Sequence, residues 1–236
     1  MRQITEALFS MQDEKYRAFH GALMPTVERE RIIGVRMPAL RSYAAALAKK
    51  PEAALFLLEL PHTYYEENNL HALLLMREKD FDVLMPQLER FLPEIDNWAT
   101  CDLFKPACFA RNRKGLLPYL SEWLRSDRPY TVRFAIEMLM THYLREDFSP
   151  EYPAWVAAVS SEHYYVRMMQ AWYFATALAF RYEELLPYLT QERLSPWVRQ
   201  KTIQKAVESL RLSPAQKEEL KALRREAPPR NTSCSR

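Results

Sequence analysis

The chain has 236 residues, 48% of them hydrophobic and 27% charged, with a net charge of +3. That is enough apolar material for a substantial core, in one large or two small domains. Only three glycines stand against sixteen prolines, no run of alternating β-branched residues occurs, and a protein built on hairpins is thereby excluded in favour of an all-α fold. Its three cysteines, at 101, 108 and 234, have neither a disulfide-framework nor a metal-ligand spacing. No apolar run is long enough for a signal peptide or a membrane span, so a cytoplasmic location without membrane attachment is expected.

The charge is uneven. Residues 1–102 hold 12 Lys and Arg against 16 Asp and Glu, and residues 103–236 hold 21 against 14, so the halves carry −4 and +7. A polyanion would therefore meet the C-terminal half.

In chain order, "IIGVRMPALRSYAAALAKK" places a helix start at Pro38 after the Val35-Arg36 pair and ends on Lys49 and Lys50. "TYYEENNLHALLLMREK" follows as a helix whose polar start reads as a solvated face. Both segments are expected to be degenerate or capping repeats. From there a period emerges: Pro86 in "LMPQL", Pro118 in "LLPYL", Pro153 in "EYPAW" and Pro187 in a second "LLPYL". Proline suits the first turn of a helix, so each is expected to open the first helix of a pair. Val-Arg pairs follow at Arg133, Arg167 and Arg199, each with an aromatic just before it. They mark the second helices. A helix-turn-helix period of this size predicts an α-solenoid of HEAT-like repeats with a concave face. One domain is expected over residues 1–225, with "APPRNTSCSR" in a disordered tail at 226–236.

"EIDNWATCDLF" sets Trp98 and Asp102 four residues apart, on one face of a helix. A carboxylate among small and apolar neighbours needs a partner if buried, so Asp102 is either a paired structural acid or a functional one. A tryptophan inside an apolar helix, as at Trp98 and Trp172, is more often core than ligand platform. The repeated arginines either brace neighbouring helices or line the concave face as cations for phosphates. The start "SDRPYTVR" favours an exposed Arg133. No P-loop, dinucleotide fingerprint, His-Glu-x-x-His or Cys-x-x-Cys occurs, and the five histidines are scattered, so neither a metal nor a cofactor is expected.

Taken together, "NWATCD", "SDRPYTVRFAI" and "SSEHYYVRMMQAW" resemble the AlkD-like family of bacterial DNA alkylation repair glycosylases. "IIGVRMPALR" and "LSPWVRQKTIQK" extend the resemblance to about residue 212. The resemblance implies a monofunctional hydrolase that excises cationic N-alkylated purines, 3-methyladenine and 7-methylguanine, from double-stranded DNA without a base-extrusion pocket. Asp102 would stabilise an oxocarbenium-like sugar, flanked by Trp98 and Trp172. Arg133 would contact a phosphate, and Arg36, Arg167, Arg199, Lys201 and Lys205 would add backbone contacts. At Arg36 the family pattern has glutamine instead. A monomer is the natural state for an enzyme that wraps DNA, and the alternative is a non-catalytic module on the same scaffold, binding distorted DNA or a protein.

Overall fold

A computed structural model describes residues 2–225, and the predicted tail at 226–236 lies outside them. The described residues form fourteen α-helices joined by short turns and 3-10 segments, with no strand. They are α1 (Arg2–Ser10), α2 (Glu14–Ala22), α3 (Met37–Leu47), α4 (Glu52–Leu58), α5 (Tyr65–Leu75), α6 (Phe81–Phe91) and α7 (Trp98–Leu103). The others are α8 (Arg113–Trp123), α9 (Pro129–His142), α10 (Glu151–Ala158), α11 (Tyr164–Leu178), α12 (Tyr182–Thr190), α13 (Pro196–Glu208) and α14 (Pro214–Arg225). The all-α class and the helical repeat are as the sequence predicts. Packing divides the described residues into two compact units, 2–135 and 136–225, parted within α9.

The Val-Arg pairs do sit on second helices, in α9, α11 and α13. Each valine, Val132, Val166 and Val198, is buried, so the pair divides its work: the valine packs and the arginine reaches outward or to a partner. Three of the four prolines are placed differently from expectation. Pro86, Pro118 and Pro187 lie inside α6, α8 and α12, each at the sixth helical residue, and Pro153 is the third residue of α10. Helices α6, α8 and α12 start about a turn before their prolines. At α6 the start is set by Asp80, whose carboxylate accepts from the N–H groups of Asp82 and Val83. An internal proline removes one helical hydrogen bond, a cost repeated three times in register.

In the first unit the core comprises Ile4, Leu8, Ile33, Leu40, Leu47, Phe56, Leu70 and Leu74. Its centre is α5, which packs on α3, α4, α6 and α7. The solvated face expected for α5 does not exist, since all eleven residues of the helix are buried. Its polar groups are tie points. Glu66 accepts from the backbone N–H groups of Ile33 (2.8 Å), Gly34 (2.7 Å) and Val35 (3.2 Å). Burial raises its carboxyl pKa above the ordinary value, and these three bonds offset part of that rise. Glu67 takes the Thr5 hydroxyl and the N–H groups of Thr63 and Tyr64. The turn held by Glu66 needs glycine: Gly34 has φ +95°, and a Cβ there would lie 2.5 Å from Cβ of Arg17.

His62 and His71 form a second buried tie, Nε2 to Nδ1 at 2.9 Å, stacked between Phe56 and Phe91. That bond requires one ring to donate and the other to accept, and the accepting imidazole must be neutral. Burial lowers both pKa values, that of His71 helped by the neighbouring His62 and Arg90, while Glu67 opposes the shift at His62.

In the second unit α11 packs on α10, α12 and α13, and α13 on α14. Met169, Tyr173, Phe174, Leu185, Val198 and Ile203 are buried there, and the rings of Phe174 and Tyr188 meet at 5.1 Å.

Two outcomes test this packing. Glu66→Gln places an amide N–H₂ against backbone donors and is expected to lower unfolding stability by about 2–4 kcal/mol in urea, with Glu59→Gln on the exposed surface changing it by less than about 0.5. Unchanged stability in Glu66→Gln would contradict the tie. The histidines, with folded pKa values below the ordinary 6.5, contribute stability that is complete above that pH and lost as pH falls toward 4. Thermal unfolding at pH 5 is expected to give a stability about 3 kcal/mol below that at pH 7.5, and equal values would contradict neutral burial.

Candidate functional site

Helix α7 is only six residues long, too short to stand by itself, so its geometry depends on what holds its start. Asn97 caps it: its side-chain carbonyl accepts from the Thr100 N–H at 2.8 Å, and its amide donates to the Asp96 carboxylate and the Thr100 hydroxyl. Thr100 in turn donates to the side chain of Asn69 on α5 at 2.9 Å. Asn69, Asn97 and Thr100 are all buried. A further anchor is the ion pair of Arg31 with Asp96 at 2.8 Å. Arg36 follows the turn held by Glu66, so α5 positions both α7 and the start of α3.

On α7 so fixed, Trp98 and Asp102 lie one turn apart, as the spacing predicts. Trp98 is half-buried, its indole N–H donating to the Leu23 carbonyl at 3.0 Å. Cys101 points inward, fully buried, with its thiol toward the Tyr130 carbonyl. Asp102 receives both arms of Arg133 from α9: Nε to Oδ1 at 2.8 Å and Nη2 to Oδ2 at 2.7 Å. The Arg133 side chain is 5% exposed and that of Asp102 18%. The exposure expected of Arg133 from its helix start is therefore not seen. A guanidinium on the buried side and a carboxylate on the open side form a two-armed pair, in which Asp102 is both braced and partly open.

Arg36 precedes α3 with its side chain 58% exposed. Its Nε donates to Asp13 at 2.8 Å and its guanidinium lies over the Tyr16 ring at 5.1 Å. Asp13 has a pKa below the ordinary carboxylate value, first because it accepts the Tyr16 N–H at the start of α2 and then because of Arg36.

The second unit holds the remaining residues. Trp172 on α11 is 40% exposed, against the expectation that a tryptophan in so apolar a helix belongs to the core. Lys205 of α13 lies 6.0 Å from its ring. Arg167 pairs with Glu162 at 2.9 Å and lies 4.6 Å over the Trp197 ring. Arg199 acts as a brace, giving Nε to the Leu189 carbonyl at the end of α12 and Nη2 to the Leu223 carbonyl of α14. Lys201 donates to Gln204 on its own helix. Of the two roles open to the repeated arginines, Arg199 has the bracing one here, and Arg133 is turned to a carboxylate.

Sequence reasoning missed Asn97 as the cap of α7 and Glu66 as the holder of the Arg36 turn. The signal for the first was present, because asparagine directly before a helix is a preferred cap. For the second the signal was Gly34, two residues before Arg36, in a chain with only three glycines.

Compared with known protein families, residues 4–207 match the family described as DNA alkylation repair enzyme. A comparison with curated proteins finds no match to the chain.

Proposed function

The chain belongs to the DNA alkylation repair enzyme family, and from that premise we propose that it is a DNA glycosylase for cationic N-alkylated purines. Its substrates would be 3-methyladenine and 7-methylguanine in double-stranded DNA, attacked on a concave face of one solenoid domain and without a base-extrusion pocket. The observation that carries this reading is Asp102: a partly open carboxylate, one helical turn from a half-buried tryptophan, oriented by a two-armed arginine.

The chemistry suits such a group. An alkylated purine with a positive ring is already a good leaving group. When its bond to C1′ of deoxyribose breaks, the electron pair goes to the ring nitrogen and cancels the ring's charge. Positive charge then develops on the sugar as an oxocarbenium-like centre, where a fixed carboxylate is worth most. Water adds to C1′ and gives up its proton, so the products are a neutral free base and an abasic site. Asp102 stabilises the sugar cation and orients that water. Trp98 offers a π-face beside it, and Trp172 is assigned the same task by the resemblance. Arg133 fixes the direction of Asp102, in place of the phosphate contact that the resemblance implies. Arg36, Arg167, Lys201 and Lys205 contact backbone phosphates. Arg199 is assigned to the scaffold by its carbonyl bonds. The enzyme would work as a cytoplasmic monomer without metal or cofactor.

A second reading rests on the same pair. Asp102 and Arg133 joined by two short hydrogen bonds also suit a structural brace, and the protein would then bind altered DNA without cutting the glycosidic bond.

Release of methylated base from alkylated duplex DNA separates the two. Wild type is expected to release 3-methyladenine or 7-methylguanine, and Asp102→Asn to be slower by about 100-fold or more under single-turnover conditions. Equal rates would remove Asp102 from the chemistry. No release by wild type, with duplex binding intact, would leave the binding reading.

A further inference from the structure

Beside Trp172, α11 and α13 leave a groove of about 310 Å³, open to solvent, lined among others by Trp172, Thr176, Lys205, Glu208, Ser209 and Arg211. Cations dominate its surroundings. Arg211 is exposed and lies 5.7 Å over the Phe180 ring, whose own neighbour is Arg145 at 4.9 Å. Among the described residues none of Lys205, Arg211 and Arg145 has a carboxylate partner, whereas Arg167, Arg181 and Lys221 in the same unit do. The acid of the lining, Glu208, accepts from Gln204 of its own helix at 3.1 Å.

Two exposed aromatics interleaved with unpaired cations suit a nucleic-acid strand. The groove is bounded by the C-terminal ends of α11 and α13, whose carbonyls attract cations and give no help to an anion. An anion here must be held by side chains. Lys205 and Arg211 supply the charge. The hydroxyls of Thr176 and Ser209 supply donors, that of Ser209 already oriented by accepting the Arg211 N–H at 3.2 Å.

We propose that this groove is a phosphodiester subsite, in which Lys205 and Arg211 bind one backbone phosphate of a DNA strand, Thr176 and Ser209 donate to its oxygens, and Trp172 forms the wall. It rests on the proposal that this protein acts on DNA, and it adds Arg211, Thr176 and Ser209 to the residues that meet the strand. A phosphate contact contributes affinity and register but carries no base sequence.

The test is fluorescence anisotropy of an undamaged duplex, titrated at salt from about 50 to 300 mM. Arg211→Ala is expected to bind about 3- to 10-fold more weakly and to reduce the slope of log affinity against log salt by about one. Arg211→Lys should restore the slope, and Arg125→Ala, at an exposed arginine just after α8 that donates to the Ser121 carbonyl, should leave it unchanged. An unchanged slope in Arg211→Ala, or an equal loss in Arg125→Ala, would overturn the subsite, as would absence of duplex binding by wild type. Base release from alkylated duplex is measured on the same preparations. Normal release with an unaltered slope in Arg211→Ala would reject the subsite and leave the glycosylase proposal standing. A reduced slope without any release would do the opposite.

Discussion

A buried polar group must be paired, and most of what this protein can do follows from how that requirement is met on α5. A helix with two glutamates, two asparagines and a histidine in its first seven residues would be costly to bury if those groups had no partners. Apart from Asn68, whose buried side-chain oxygen has no hydrogen-bond partner among the described residues, they reach out to the rest of the first unit. Glu66 closes the glycine turn before Arg36, Glu67 fixes the entry into α5 itself, and Asn69 receives the cap network of α7. The same helix thus holds the two segments that carry Trp98, Asp102 and Arg36. Polar pairing in the core does the positioning that a larger apolar interface would do elsewhere.

The same constraint acts on Asp102, with a different result. Its partner Arg133 is deeper than it is, so the pair is anchored from below and the carboxylate keeps some contact with solvent. Burying a guanidinium is costly unless an acid is near it, and Asp102 supplies one through two hydrogen bonds. Structural need and chemical use are not opposed in such an arrangement. A carboxylate that must stabilise a transient cation works best when it does not have to reorganise, and two short hydrogen bonds from a planar guanidinium hold it in one orientation.

Much of this was legible in the sequence, and the failures are physically instructive. The scarcity of glycine, the Val-Arg period and the spacing of Trp98 and Asp102 led to the helical fold and to one helical face. Pro86, Pro118 and Pro187 lie about a turn past the helix starts, because a proline signals where a helix tolerates it and not where it begins; at α6 the start is set by Asp80. "YYEENNLHA" has the pattern of a solvated face because polarity normally means water, yet from Tyr65 onward it is buried. Its partners are 30 or more residues away in some cases and invisible to local pattern. The apolar neighbours of Trp172 point to the core, but period alone does not say which side of a mostly apolar helix is left uncovered. Arg133 was expected outside, and only the structure matches it with Asp102, 31 residues earlier.

The central claim is that Asp102 and Arg133 act as one unit in breaking the glycosidic bond. Its most direct test is a double-mutant cycle of single-turnover 7-methylguanine release from duplex DNA, using Asp102→Asn, Arg133→Ala and the double variant, each checked for folding by thermal unfolding. If the pair is a unit, either change alone removes most of the rate, by about 100-fold, and the double variant is hardly slower. Losses that multiply in the double variant, or a folded Arg133→Ala protein with wild-type release, would contradict it.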